Sequence, residues 1–375
     1  MRVKFRVERD RLADAVAWAA RALPTRPSIP TLSGLLLSSD QELLTLSGFN
    51  NENAASVEIE ANIDEPGRVL VSGRMLADIS RSLPNQPVVM ATDGSRLEVR
   101  CGRSSFMLPT LPVEEYPVLP TMPSPAGVVD GSVFAAAVNQ VAVAAGHDDT
   151  LPMLLGIRIE FDGPRVTMAA TDRYRLAVRE LTWRPENPAF EGSALVPAKV
   201  LADTAKLLGG SNDVFVAYAP NTPADGLMGF EGGGRRTTTR LIDGDFPKYR
   251  QLLPDSGSTF ATVPTAGLLE AVKRVSLVAE RSTPVRLLFS GDEVSLQAGS
   301  GDEAQATEAL EAQVVGDPIA IAFNPAYLME GLNVIGDPQV RIAFTESNKP
   351  AVLTPGDNDS AGSFQYLLMP VRLSS

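Results

Sequence analysis

Arg11-Leu12-Ala13-Asp14-Ala15-Val16 is similar to two later stretches, Val133-Phe134-Ala135-Ala136-Ala137-Val138 and Gly267-Leu268-Leu269-Glu270-Ala271-Val272. This threefold recurrence decides the fold. Each stretch sets small and apolar residues at i, i+3, i+4 spacing, which buries one face of an amphipathic helix. Working outward, a strand pattern follows each one: Gly34-Leu35-Leu36-Leu37-Ser38-Ser39, Gly156-Ile157-Arg158-Ile159-Glu160-Phe161 and Val285-Arg286-Leu287-Leu288-Phe289. A second helix recurs at Met75 to Leu83, Val200 to Leu207 and Tyr327 to Leu332, with Leu76, Leu201 and Leu328 standing 125 and 127 residues apart. That period is far longer than the roughly 20–50 residues of a solenoid unit, so each repeat reads as a domain with its own core.

Alternating segments at Leu97 to Arg100 and Arg103 to Leu108 flank a turn at Cys101-Gly102, the pattern of a hairpin. The expected architecture is therefore α+β: three tandem, structurally similar domains, each with two helices backed by antiparallel sheet. They span 1–121, 126–254 and 255–375. Proline-rich joints run from Leu111 to Pro120 and from Asp245 to Pro254. Proline fixes φ and removes a donor, which suits a semi-rigid connector better than a strand interior.

Composition excludes several function classes. A single cysteine, Cys101, and a single histidine, His147, stand among 375 residues, so a disulfide framework and a Cys/His zinc site are both short of ligands. Any Ser-His-Asp or Cys-His catalysis would have to run through His147, which reads instead as part of the polar loop Gly146-His147-Asp148-Asp149-Thr150. Asp148-Asp149 alone is weak evidence for a magnesium site. The N-terminus lacks an apolar signal core and no run of about 18 apolar residues occurs, so a cytoplasmic protein is expected. With 33 basic against 45 acidic residues the net charge is −12, which by itself argues against a wrapped nucleic acid.

Three motifs have bland and functional readings side by side. Glu231-Gly232-Gly233-Gly234-Arg235-Arg236-Thr237 could cradle a phosphate, but no Lys-Ser/Thr step into a helix follows, and the repeat alignment makes it a hairpin turn. Thr171-Asp172-Arg173-Tyr174-Arg175-Leu176 reads as a polar turn after a strand. The tail Tyr366-Leu367-Leu368-Met369-Pro370-Val371-Arg372-Leu373-Ser374-Ser375 is apolar, and serves either as a strand of the third domain, as an adaptable groove wall, or as both. Basic residues recur at the helices: Arg9, Arg11 and Arg21 by the first, Arg74 and Arg81 on the second, Lys199 and Lys206 on the fourth, and Lys273, Arg274 and Arg281 by the fifth. Singly these are solvated faces, and their recurrence at matching places points to a shared basic surface.

The chain resembles the bacterial DNA polymerase III beta subunit family, the replicative sliding clamps. Carrying the likeness, in order, are Arg26-Pro27-Ser28-Ile29-Pro30, the Thr171-Asp172 … Arg175-Leu176 turn, Asp245-Phe246-Pro247-Lys248-Tyr249, Phe323-Asn324-Pro325-Ala326-Tyr327-Leu328 and Met369-Pro370-Val371-Arg372-Leu373. The resemblance implies a head-to-tail homodimer closing a six-domain ring around double-stranded DNA, helices inward and sheets outward. It also resolves the charge puzzle: inward Lys/Arg faces phosphates while an acidic rim repels DNA from outside. Such contacts read no bases, so the ring slides.

By the same resemblance, polymerase III alpha, clamp-loader subunits and other proteins carrying a clamp-binding motif dock through short peptides. The implied cleft comprises Leu154, Thr171, Arg173, Tyr174, Arg175 and Leu176; Pro247 and Leu252; and Leu367, Leu368, Met369, Pro370, Val371 and Arg372. Asn324, Tyr327 and Ser347 stand near its rim. DNA-facing positions are Arg26, Arg74, Arg81, Lys199, Lys206 and Lys273. Arg103 and Phe106 would meet Leu277 and Val278 of a partner, with Asp302, Glu303, Glu308 and Glu311 supplying counter-charge. The implied role is non-catalytic, needing no cofactor and no membrane; ATP belongs to the loader. Arg173, Tyr174 and Gln251 depart from the pattern of many relatives, which have Gly and His at the first two positions and, in some, Arg at the third. Two alternatives stay open on the residues: a hydrolase or metal enzyme on a triplicated scaffold, and a divergent paralogue with fewer partners or with resistance to a clamp-directed inhibitor.

Overall fold

The computed structural model describes residues 2–218, 226–254, 257–279, 283–299, 304–356 and 364–372. Arg281, Asp302, Glu303 and Leu373 to Ser375, named above, lie outside the described residues. Among those described there are six α-helices, two per repeat: α1 (Arg9–Ala19), α2 (Gly73–Ser82), α3 (Gly131–Ala142), α4 (Ala198–Leu208), α5 (Thr265–Val275) and α6 (Pro325–Val334). The buried faces follow the expected spacing, with Leu201, Thr204, Ala205 and Leu208 on α4 and Leu268, Ala271, Val272 and Val275 on α5. At α6, Asn324 accepts from the amides of Ala326 and Tyr327 at 2.9 and 3.4 Å, and Pro325 opens the helix where no amide donor is needed.

The three repeats are distributed over two compact units. One unit holds Met1–Gly131 with Gly210–Leu241, and the other holds Ser132–Gly209 with Ile242–Ser375. The middle repeat is thus divided, one of its sheets going to each unit. In the first unit Arg235–Arg240 pairs antiparallel with Asn53–Glu60, Thr237 opposite Ala55. In the second, Arg175–Thr182 pairs antiparallel with Phe364–Leu368, Leu176 opposite Leu367. An open sheet edge exposes a row of unmet backbone groups, and here the neighbouring repeat supplies the missing strand. Neighbouring repeats are thus joined edge to edge within each unit, and in the second unit the cluster of Ala169, Leu176, Val178, Tyr249, Val352 and Leu367 draws on both.

Both proline-rich joints are packed rather than free. Tyr116 is buried with Leu32, Leu36, Phe49, Ala54 and Leu70, and Leu111, Val113 and Leu119 lie against that cluster. Tyr249 is buried with Ala169, Leu176, Val178, Val352 and Leu367, flanked by Phe246 and Leu253. Each joint is pinned by one tyrosine whose ring removes a large apolar area from water. The glycine-rich segment is a hairpin turn between Leu227–Gly232 and Arg235–Arg240; Gly233 and Gly234 have φ of +58° and +74°, which glycine adopts without strain. No helix follows it, so the phosphate-loop reading is excluded.

Candidate functional site

The second unit carries a connected polar constellation, centred on the turn between the strands Arg165–Thr171 and Arg175–Thr182. Asp172 shapes this turn by accepting from the amides of Tyr174 and Arg175 at 3.0 and 3.1 Å, while Thr171 donates its hydroxyl to the Arg175 carbonyl at 2.7 Å. Arg173 has φ of +79°, a left-handed conformation that costs a non-glycine residue energy and persists only where neighbours hold it.

Arg175 is almost wholly buried, its side chain 3% exposed. Its Nε donates to Asp172 Oδ2 at 3.0 Å, and Nη1 donates to Glu330 on α6 and to the Tyr366 hydroxyl at 3.4 Å. Tyr366 in turn donates to the Tyr327 carbonyl at 2.8 Å, and the guanidinium sits 4.3 Å from the Tyr327 ring centroid. Burial works against the charge on Arg175, but Tyr366 and Glu330 more than offset it and hold its pKa above the usual range. A buried cation with an ion pair, hydrogen bonds and a ring partner is fully compensated, so it joins the turn, α6 and the terminal strand into one piece.

Around this centre the apolar surface divides sharply. Leu367 and Leu368 are core, 3% and 0% exposed, because their strand lies between Arg175–Thr182 and Ala351–Pro355. The exposed apolar set starts one residue later: Met369 and Val371, with Tyr174 and Leu252. The tail leaves the ladder at Met369, whose amide donates to the Tyr174 carbonyl at 2.9 Å, and Val371 donates to the Ala322 carbonyl at 2.8 Å. Both readings of the tail hold, with the division between strand and surface falling after Leu368. The Tyr174 and Tyr327 rings stack with centroids 6.2 Å apart and planes at 26°.

Hydrogen bonds, ring contacts and packing thus bring together Thr171, Tyr174, Arg175, Leu176, Tyr327, Leu367, Leu368 and Met369. Asn324 contributes as the cap that orients Tyr327, and Pro247 and Leu252 flank the pinned Tyr249. Ser347 is exposed in the loop before Ala351, which faces Leu368. Leu154 is buried and bonded through its carbonyl to the Gly146 amide at 2.7 Å; it belongs to neither apolar cluster described above. Pro370 is half-buried, and Arg173 and Arg372 are exposed.

Sequence reasoning missed Glu330 and Tyr366 as partners of Arg175. The available signal for Glu330 was its place three residues after Tyr327, on the same helix face. It also missed Glu160, which accepts from the Tyr249 hydroxyl at 3.0 Å and from Arg250 at 2.5 Å. These residues, with Arg158, Asp245, Phe246 and Pro247, border a cavity of about 370 Å³ beside the connector. Burial pushes the Glu160 carboxyl up, and the Arg250 and Tyr249 bonds pull it further down, leaving it below the ordinary carboxylate range.

Of the basic positions, Arg74 and Arg81 are exposed on α2, Lys199 and Lys206 on α4, and Lys273 on α5; Arg26 is exposed before the turn Pro30–Ser33. Seven residues is almost two helical turns, so Arg74 and Arg81 share a face, as do Lys199 and Lys206. Arg81 pairs with Asp78 at 2.8 Å and Lys273 with Glu270 at 3.5 Å, whereas Lys199 and Lys206 form no ion pair among the described residues. Phe106 is 38% exposed on the strand Ser104–Leu111, beside the exposed Arg103, and Leu277 is 82% exposed after α5 with Val278 half-buried. Glu308 is engaged by Arg274 of its own chain at 2.5 and 3.0 Å, so it is not a free counter-charge.

His147, Asp148 and Asp149 are exposed, and no cluster of three or more potential metal ligands occurs among the described residues. No helix among them is long and apolar enough to cross a membrane.

The same residues align with known proteins along the whole chain. Residues 3–120, 128–248 and 250–372 match, in that order, the N-terminal, central and C-terminal domains of the DNA polymerase III beta subunit. The chain belongs to that family. It is a sliding clamp of DNA polymerase III, a processivity factor of a class that works with DNA and polymerase and forms dimers. The beta sliding clamp of Streptomyces coelicolor is 57% identical over 375 residues, covering 99% of this chain and all of that one. A beta sliding clamp homologue, GriR, of Streptomyces muensis is 44% identical over 373 residues, covering 99% of both. The clamp of Pseudomonas aeruginosa bound to griselimycin is 28% identical, with a TM-score of 0.91 over 99% of this chain and all of that one.

Proposed function

We propose that two copies of this chain close head to tail around duplex DNA, and that the ring tethers the polymerase III alpha subunit, receives clamp-loader subunits and binds other motif-bearing proteins. Tethering by topology raises the local concentration of polymerase at the primer end without tight DNA binding. The observation that carries the DNA side is the matched pair of exposed cations on α2 and on α4, spaced for one face each, in a chain of net charge −12. Water-spaced phosphate contacts of this kind hold DNA without stopping it.

The partner side rests on the exposed apolar set around Tyr174, Leu252, Met369 and Val371 over a rigid floor of Leu176 and Leu367. Each apolar peptide anchor buried there contributes about 1.5–3 kcal/mol, which two anchors and a few hydrogen bonds extend to micromolar affinity. Phe106, with the charged Arg103 beside it, and Leu277 with Val278 are the surfaces we assign to the subunit contact. We further infer that the clamp acts in the cytoplasm, without catalysis of its own, and that its domains divide at 1–121, 126–254 and 255–375.

Retention on DNA tests the reading. After loading by a compatible loader with ATP, the protein is expected to stay on closed circles and to leave once they are linearised. Equal retention on both would refute topological binding.

A further inference from the structure

We propose that the cavity beside the Asp245 to Pro254 joint is a binding site for a small phosphate ester, its phosphoryl group held by Arg158, Lys248 and Arg250 and its organic body resting on Phe246. The cavity holds about 370 Å³, more than an inorganic ion fills and within the range of small-ligand sites. It is separate from the exposed apolar set around Tyr174. Arg158 and Glu160 stand on the strand Gly156–Asp162, which the whole strand Arg165–Thr171 parts from Arg175–Thr182. Neighbouring strands lie about 4.8 Å apart, so the offset across the sheet is about 10 Å. The joint bridges that offset: the Tyr249 ring packs with Leu176 and Val178, while its hydroxyl bonds to Glu160.

Donors are in surplus in this cavity, and that sets the charge of the ligand. One oxygen of Glu160 accepts from the Tyr249 hydroxyl at 3.0 Å and from Arg250 Nη2 at 2.5 Å, and the other faces Arg158 Nε at 3.5 Å. Both oxygens are thus engaged by the protein itself, and two guanidiniums share the one carboxylate. Each guanidinium carries five N–H donors, so most of each fork stays available. Arg250 is held in place by the Tyr249 ring as well, 4.9 Å from its centroid. Lys248 is exposed and makes no ion pair among the described residues. Asp245 also borders the cavity but is exposed, where solvent screens it, and Glu180 acts on Arg250 from outside the lining.

The arrangement favours phosphate over a carboxylate. A carboxylate offers two oxygens in one plane and a single charge, which one arginine fork satisfies. A phosphoryl group offers three oxygens and about 1.5 to 2 negative charges at neutral pH, matching two forks and an ammonium. Phe246 is half-buried, its ring at 69° to that of Tyr249 with centroids 6.1 Å apart, and it supplies the apolar surface for the carbon skeleton of an ester.

The test titrates glycerol phosphate, adenosine monophosphate and inorganic phosphate into the full-length protein by isothermal titration calorimetry at constant ionic strength. Wild type is compared with Lys248→Glu, Arg158→Gln and Lys199→Glu. At least one ester is expected to saturate a single site per chain, with inorganic phosphate competing for it more weakly. Lys248→Glu and Arg158→Gln should each weaken that ester about 3- to 10-fold, as expected for one partly screened ion pair. Lys199→Glu on α4 should leave the affinity unchanged, which separates the cavity from the cations of the helices. Lys248 has no partner to lose, so its variant decides the matter even if Arg158→Gln melts early. No saturation by about 10 mM of either ester, inorganic phosphate binding as tightly as the esters, an affinity unchanged in Lys248→Glu, or an equal loss in Lys199→Glu would overturn the proposal.

Discussion

Replacing Arg175 with alanine should unlock the second unit before it affects anything else. The substitution leaves Asp172, only 13% exposed, without the guanidinium that neutralises it; the missing charge-assisted bond is worth about 1.5–3 kcal/mol. The Glu330 pair adds about 0–1 kcal/mol, because that carboxylate is 48% exposed and solvent screens it. The cation–π interaction with the Tyr327 ring adds about 0.5–2 kcal/mol. Together these give about 2–6 kcal/mol, which brackets the roughly 3–5 kcal/mol seen when one partner of a buried pair is removed. Scanning calorimetry of the full-length protein should show the transition of the second unit falling by about 10 °C, at roughly 2–4 °C per kcal/mol for a unit of this size. Hydrogen exchange should show the amides paired between Arg175–Thr182 and Phe364–Leu368 losing protection. Arg175→Lys keeps the charge but not the fork and should fall between the two. A variant melting within about 2 °C of wild type while losing its peptides would refute this reasoning and make Arg175 a ligand-binding residue instead of a keystone.

Three further outcomes follow from neighbouring features. Gly331→Ala would put a methyl group 2.4 and 2.6 Å from carbons of the buried Tyr366 ring, so it should cost about 1–3 kcal/mol in thermal denaturation although alanine favours helix; a stabilised variant would contradict the packing. Glu160 has a folded pKa below its unfolded value of about 4.3, so its contribution is present at neutral pH and lost as the pH falls through the folded value. The melting-temperature gap between wild type and Glu160→Gln should accordingly narrow from pH 7 to pH 3, and a constant gap would mean the carboxylate is not linked to stability. Reversing Lys199 and Lys206 to glutamate should shorten retention on closed circles and flatten its salt dependence, by about 0.9 in log–log slope for each phosphate no longer neutralised, with melting unchanged.

Much of this protein was decided within the chain by itself. Helix positions follow from local periodicity, and the spacing of Leu76, Leu201 and Leu328 reveals the triplication, because a buried helix face needs apolar residues at fixed intervals wherever it packs. The single cysteine and histidine were enough to discount most metal and nucleophile chemistry. The residues around the candidate cleft came instead through the family likeness of short motifs, since no periodicity marks a peptide surface. Tertiary structure alone decided three things. It showed that the middle repeat is divided, its two sheets completing the ladders of its neighbours, because strand edges are satisfied by whichever strand arrives, irrespective of sequence distance. It separated Leu367 and Leu368 from Met369, apolar neighbours alike in sequence, by where the tail leaves the ladder. And it joined Arg175 to Glu330, 155 residues away, a pairing between two charged side chains that no local pattern encodes because its energy arises only when both are brought to one partly buried place.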